Sequence, residues 1–411
     1  MKHRILPAIT ASILFFVPAL AHADEPSKPM FSFSGYGTAG LSHTTENQAD
    51  FTSNVLKASG VGSSGNWSGD VDSRFGVQLT ANFSPQFSGV LQLTSEQRYD
   101  KTYRPTIEWA NLKYQVTPNL SARAGRIALP TFLAADYRKV GYVLPWARTP
   151  VELYNLIPIT NSDGVDFTYR LHVGDWTNVI QGSVGTTSIQ YSQGTATATA
   201  IRGFSSTTEY GAFTARLSYV QGDLSLGLAK PLFDGFRQFG PQGAAIADQY
   251  DIDNKRVSVV GLGASYDPGE WFAMGELGRG TTNSFLGAKS AWYLSAGYRF
   301  GKISPYLVVG QVWADSNVSD PGLSVTGLPP QLAGLASGLN GGLNALLGAI
   351  GEQRSIAVGS RWDLVKNGAI KLQYDRITLG AGSLGNLVLE QPGFRRGGTV
   401  NVVSAVFDFV F

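Results

Sequence analysis

The chain has no cysteine among its 411 residues, and only 15% of them are charged. The first absence excludes a disulfide framework, thiolate chemistry and cysteine-ligated zinc or iron–sulfur centres. The second sets the chain apart from soluble domains, in which about a quarter of residues carry charge. Long apolar runs are missing too. Past the N-terminal segment no stretch of 18 or more apolar residues occurs, so helices do not carry this chain across a membrane. Histidine is scarce, and beyond that segment only His43 and His172 remain. Hydrolases built on membrane barrels usually recruit a histidine as base. Neither histidine suits that role, since His43 falls in the first loop without a serine–acid constellation and His172 lies beside a turn. Gly278-Arg279-Gly280 falls at a strand end and not between a strand and a helix, so it is no phosphate cradle. No enzyme, cofactor, metal site or nucleic-acid partner is expected.

What is abundant is glycine, 49 in all, with serine, threonine and 11% aromatic residues. That profile, with hydropathy near zero, suits long strands that are wet on one face and apolar on the other. The first 23 residues have a separate purpose. Lys2, His3 and Arg4 precede an apolar stretch from Ile5 to Leu20, and Ala21-His22-Ala23 forms a small-x-small cleavage site before Asp24. Residues 1–23 are expected to be an export signal and 24–411 the folded domain. Lys2 and Arg4 leave with the signal, so the 32 basic residues of the full chain fall level with its 30 acidic ones.

Short polar turns separate the alternating segments. They lie at Ser84-Pro85-Gln86, Thr117-Pro118-Asn119, Val173-Gly174-Asp175, Tyr210-Gly211, Asp267-Pro268-Gly269, Gly301-Lys302-Ile303 and Val365 to Gly368. With a first strand near Phe31 to Leu41 and a last from Thr399 to Phe411, these hairpins give about 16 strands. Phe75, Val77, Leu79, Ala81 and Phe83 share one face while Arg74, Gln78, Thr80 and Asn82 share the other. Phe83, Phe87, Tyr114, Trp176, Phe213, Tyr266, Trp271, Phe300, Tyr306 and Trp362 stand beside the short turns, as an aromatic girdle at a headgroup boundary would. The fold expected is all-β: a transmembrane antiparallel up-and-down barrel, closed so that no edge meets lipid.

Long connections are expected on the extracellular side, near 42–69, 98–105, 129–162, 188–200, 222–255, 281–289, 316–352 and 379–397. The third, Leu129 to Ser162, carries four prolines and Tyr137, Tyr142, Trp146 and Tyr154. It is too apolar to stand in water and is expected to fold into the lumen. In the seventh, Leu332, Leu335, Leu339, Leu343, Leu346 and Ile350 form a helical stripe. Five glycines there weaken an isolated helix by about 1 kcal/mol each, so the segment is expected to dock as a lid on the barrel mouth or on a neighbouring protomer.

The third-loop position, Gly125-Arg126 at the top of the preceding strand, and the terminal Phe411 together resemble trimeric Gram-negative porins. The run Pro145-Trp146-Ala147-Arg148-Thr149-Pro150-Val151-Glu152-Leu153-Tyr154, followed by Asp163-Gly164-Val165-Asp166, is similar to porin-like proteins of proteobacteria. The resemblance implies a homotrimer in the outer membrane, in contact with its lipid and lipopolysaccharide, that passes small hydrophilic solutes. It also implies acidic third-loop residues, Asp136 and Glu152, facing basic residues on the wall. This loop carries Arg138, Lys139 and Arg148 as well, a departure from a purely acidic constriction.

Arginines in lumen phase are Arg74, Arg98, Arg123, Arg170, Arg216, Arg299 and Arg361, and the acids are Asp72, Glu96, Asp166, Glu276, Asp363 and Asp375. Arg126 is out of phase with Arg123 unless the strand bulges. Each such arginine either filters ions or only braces the wall through a pair contributing about 0–1 kcal/mol. The expected constriction set is Arg74, Arg123, Arg126, Asp136, Arg138, Lys139, Arg148, Glu152, Asp166 and Arg170. Counting the charges of the loop and its adjacent strands leaves a slight basic excess, hence a weak anion preference. A channel selective for anionic or carboxylated solutes, and a non-conducting structural or receptor barrel, are the alternatives.

Overall fold

The computed structural model describes residues 29–411. The proposed export signal, residues 1–23, lies outside the described residues.

Sixteen long antiparallel strands pair each with the next, from Phe31–Thr44 to Thr399–Val410. The first and last strands close the cylinder in register from Tyr36 opposite Val410 to Thr44 opposite Val402. A seventeenth, two-residue strand, Trp67–Ser68, belongs to the first loop and pairs with Ser42 and His43. His43 therefore lies in the first strand, one residue before its end, stacked on Trp67 with ring centroids 4.3 Å apart, and is not in the first loop as expected.

The short turns fall where the Pro, Gly and Asn clusters put them. Gly174 and Gly211 sit at φ +58° and +55°, the left-handed conformation that closes tight hairpins without a Cβ penalty. Alternation then sorts the side chains. Phe33, Leu79, Phe167, Leu294 and Val403 are exposed on the outer face, while Tyr36, Asp166, Tyr293, Lys371 and Asp408 are buried within the barrel. Nine of the ten expected girdle aromatics are exposed at the turn end. Tyr306 is the exception: it lies one residue out of phase, turns inward and is only 4% exposed.

Two expectations about loops need correction. Residues 188–200 are not a loop: strands Trp176–Tyr191 and Gly194–Tyr210 continue to a two-residue tip. The Thr-Ala alternation of 195–199 is polar enough to read as a connection, yet threonine is a good strand former. In the seventh loop the helix Pro330–Gly348 forms, but with a rotated face. It buries Ala336, Leu343 and Leu347 against Phe233, Phe236 and Phe285, whereas Leu332 and Leu335 stay exposed. Its partners are the fifth-loop helices Lys230–Arg237 and Gly240–Tyr250, so neighbouring extracellular loops dock it.

Glycines on the first strand serve the closure. The Phe411 and Phe409 rings lie where side chains on Gly35 and Gly37 would stand, and a Cβ at Gly37 would come within 2.4 Å of the Phe409 ring. Phe411 and Gly35 also exchange backbone hydrogen bonds of 2.9 and 3.0 Å. The C-terminal aromatics thus cover the seam in place of the missing side chains.

Candidate pore constriction

The third loop leaves the barrel wall after Ala128 and returns at Asn161. Prolines keep it from regular structure, apart from one turn of 3₁₀ helix at Gly141–Val143 and one α-turn at Val151–Tyr154. Its apolar side chains pack on the inner wall. Leu129, Phe132, Leu144, Trp146 and Leu153 join Val220, Val259, Tyr293, Tyr306 and Val308 in one buried cluster. The Trp146 indole meets Tyr293 edge to face at 5.5 Å and donates to Ser295 Oγ at 2.8 Å. The Ser295 hydroxyl satisfies the indole N–H that burial cuts off from water.

Polar contacts fix the loop from several directions. The Glu276 carboxylate accepts from the Leu133 amide (2.6 Å) and from the Tyr154 and Tyr293 hydroxyls (2.8 Å each). Burial, reinforced by Glu276, pushes the Tyr154 hydroxyl well above its ordinary pKa. Lys371 donates to the carbonyls of Gly141 and Trp146 at 2.7 and 2.8 Å. Arg216 donates to the Thr131 carbonyl and Arg361 to that of Leu144. Wall cations thus cap loop carbonyls, and loop cations seek wall carboxylates.

Arg148 is the clearest case of the second kind. Its guanidinium is 4% exposed and bonds Asp72 through two oxygens at 2.9 and 2.6 Å, Asp375 at 2.9 Å and Ser404 at 2.6 Å. Burial opposes the Asp72 carboxylate, but the neighbouring Arg148 outweighs it and holds the pKa below the usual range. Lys139 reaches Glu96 and Glu108, each at 2.7 Å. Burial works against its ammonium as well, yet the two glutamates keep its pKa above the usual lysine range. Arg138 turns back on its own loop, to the carbonyls of Ile157 and Pro158. Glu152 is buried beside Gln353, which donates at 2.7 Å, and burial raises its pKa.

The remaining members of the expected set divide. Arg123 spans both oxygens of fully buried Asp166, at 3.0 and 3.1 Å from Nε, and Gln181 donates to the same carboxylate. Arg74 is half-buried and lies 3.5 Å from the Arg138 carbonyl. Asp136 and Arg170 are half-buried. Arg126 does not join them. It stands opposite Asp163 with no register shift between the strands, which puts both on the outer face, bonded at 2.7 Å. Gly125, at φ +124°, approaches the Ala110 carbonyl closely, but it does not bring Arg126 inward.

The charges counted for ion preference are therefore mostly spent. Arg138, Arg148, Glu152 and Asp166 are buried, and Lys139 is nearly so. Half-exposed inward groups concentrate on the strands Thr106–Gln115, Leu120–Ala128 and Asn161–Val173, where Asn111, Lys113, Arg123, Thr168 and Arg170 face the lumen. Lys113 was missed by the charge count, although its alternation with Leu112 and Tyr114 marks it as inward. Lys371, Glu108 and Asp408 were missed likewise and are detectable by the same alternation.

The model of the Gram-negative porin family matches residues 8–387. No curated protein matches the chain significantly. Among solved structures, the anion-selective porin from Comamonas acidovorans aligns with a TM-score of 0.54 at 13% identity, covering 93% of this chain and 99% of that one. A Salmonella typhi OmpF complex with daunomycin aligns at 0.54 and 14% identity, over 93% and 97%. In vitro folded OmpT, an outer-membrane protein of Vibrio cholerae in its trimer form, aligns at 0.52 and 8% identity, over 93% and 99%.

Proposed function

Since the chain belongs to the Gram-negative porin family, we propose that it is a water-filled outer-membrane channel for passive diffusion of small hydrophilic solutes and ions, with a weak preference for anions. The observation that carries this reading is the lopsided lumen. The third loop covers the wall where Tyr293, Tyr306, Lys371 and Asp408 are buried, whereas Lys113, Arg123, Thr168 and Arg170 on the other side stay half-exposed. A barrel of this size leaves aqueous space beside such a loop. The cations on that side favour anions modestly, because a narrow low-dielectric passage focuses their field.

Planar-bilayer conductance tests the channel, and a reversal potential in a potassium chloride gradient tests its sign. Changing Arg123 and Arg170 together to glutamine should move the reversal potential toward cation preference. An unmoved potential would mean that both arginines brace the wall. A barrel that does not conduct at all would refute the channel.

The reading extends to a homotrimer exported by cleavage after Ala23, in contact with the lipid and lipopolysaccharide of the outer membrane. Exposed Phe31, Phe33 and Phe407 beside the seam favour an intersubunit face. Gly35 and Gly37 on the same strand are covered by the Phe411 and Phe409 rings. Crosslinking in mild detergent should yield trimers, and monomers alone would refute that assembly.

A further inference from the structure

The first and eighth loops meet above the seam that closes the barrel. Asp50 and Val388 exchange backbone hydrogen bonds of 2.8 and 2.9 Å, and the Gln391 amide donates to the Gln48 carbonyl at 2.7 Å. Between these loops and the tops of the last two strands, a cleft of about 330 Å³ opens at the extracellular rim. Buried Leu379 and Val400, with half-buried Phe394, give it an apolar side. Glu46 and Arg395 line it as well, and none of the constriction residues does. Gly397, also on the lining, sits at φ +77°, where glycine turns the chain without strain and adds no side chain to fill the space.

The two charged groups stand in the cleft unpaired. Glu46 Oε1 accepts from the Asn47 and Gln48 amides at 2.9 and 2.7 Å, which fixes the carboxylate and leaves Oε2 without a hydrogen bond among the described residues. Arg395 is exposed and makes no ion pair or hydrogen bond among those residues, although Arg396 beside it spans both oxygens of Glu390 at 2.7 Å each. Opposite charges thus line one small cleft without reaching each other, which leaves a place for a molecule that carries both signs. We infer that the cleft binds a zwitterionic α-amino acid with an apolar side chain. Its carboxylate takes the guanidinium fork of Arg395, which matches that group through two parallel hydrogen bonds. Its ammonium takes Oε2 of Glu46, and its side chain lies against Leu379, Val400 and Phe394. The volume is near the lower bound of small-molecule sites, which suits one amino acid and not a peptide or an oligosaccharide. A simple anion would satisfy Arg395 but set its charge against the Glu46 carboxylate, and a simple cation would meet the converse.

This inference rests on the extracellular placement that the channel reading gives these loops, but its test is independent of conduction. The mature protein, extracted from outer membranes in mild detergent, is titrated with L-leucine, with isocaproate, which lacks the ammonium, and with isoamylamine, which lacks the carboxylate. Bound ligand is read by saturation-transfer NMR. Each analogue should bind about tenfold more weakly than leucine, the loss of roughly one charge-assisted contact. Arg395→Gln should weaken leucine about tenfold and isoamylamine not at all. Glu46→Gln keeps the acceptor for the two amides, and it should weaken leucine similarly while isocaproate binds no more weakly than before. Leucine held no tighter than either analogue overturns the assignment, as does an absence of leucine binding. Both variants weakening all three probes alike would mean that the substitutions only disturb the loops, and the inference fails. Bilayer conductance of the same preparations is read separately. A barrel that conducts without binding leucine loses the cleft and keeps the channel, and one that binds leucine without conducting does the reverse.

Discussion

Replacing Arg148 with methionine should release the third loop from the wall. The substitution keeps most of the buried volume but strands two carboxylates, Asp72 and Asp375, which share that guanidinium at 2.6 to 2.9 Å. Breaking a buried ion pair by removing one partner costs about 3–5 kcal/mol, because the orphaned charge stays desolvated. Two orphans put the penalty at the upper end of that range. Both lie against the lumen, so the barrel has an escape: the loop lifts and water returns. The cost should then appear as a looser constriction more than as global unfolding. Single-channel conductance is expected to rise and flicker, and protease is expected to nick the chain between Ala134 and Pro158. Adding Asp72→Asn and Asp375→Asn removes both stranded charges and should bring stability back to within about 1 kcal/mol of wild type, as neutral replacements of buried pairs do. If Arg148→Met alone leaves conductance, noise and cleavage unchanged, the three groups are hydrated in the native pore and the bracing account is wrong.

Other perturbations have definite signs. Burial in the first loop lowers Lys57 to about 8, so the unfolded chain binds the extra proton between that value and the ordinary lysine pKa. Stability should rise with pH across that window by on the order of 3 kcal/mol; thermal midpoints of wild type and Lys57→Met should therefore converge as pH rises, and a constant difference would refute it. Gly37→Leu forces a side chain into the Phe409 ring and should cost about 1–3 kcal/mol as an overpacking strain, read as a lower temperature for loss of the compact band on gels. Glu276→Gln can accept from the Leu133 amide on its one carbonyl oxygen while its NH2 donates to the Tyr154 and Tyr293 hydroxyls, which reverse their roles, so it should be tolerated, whereas Glu276→Ala should loosen the Leu133–Tyr154 segment, as measured by increased amide exchange there.

The barrel was legible in the sequence because lipid outside and water inside impose period-two alternation on every strand, and the Pro, Gly and Asn turns are local signals. Trp146 and its prolines likewise announced a loop that could not stay in water. Pair identities were not legible. Arg148 meets residues 76 and 227 positions away, and no local pattern carries that information. Counting formal charges therefore treated Arg148, Lys139 and Glu152 as ion-facing groups when desolvation had already bound each to a wall partner. Phase decided the single residues. Arg126 has the spacing of an outward position, and only a bulge would have brought it inside. Tyr306 sits near a short turn like the girdle aromatics, but its parity aims it at the loop.

The bracing of the third loop also bears on how the cylinder finds its closing alignment. A strand that slips by one residue puts its apolar set in the lumen, and lipid rejects it. A slip by two keeps every apolar residue outward, so the membrane cannot detect it. At the seam, the inward groups can: Thr38 donates to Asp408, Ser42 meets Ser404 at 2.9 Å, and Lys371 reaches Asp408 at 2.8 Å while holding two loop carbonyls. A two-residue slip of the last strand would pull Asp408 and Ser404 away from Lys371 and Arg148 together. The loop thus acts as an internal gauge, with full contact available at only one of the even alignments.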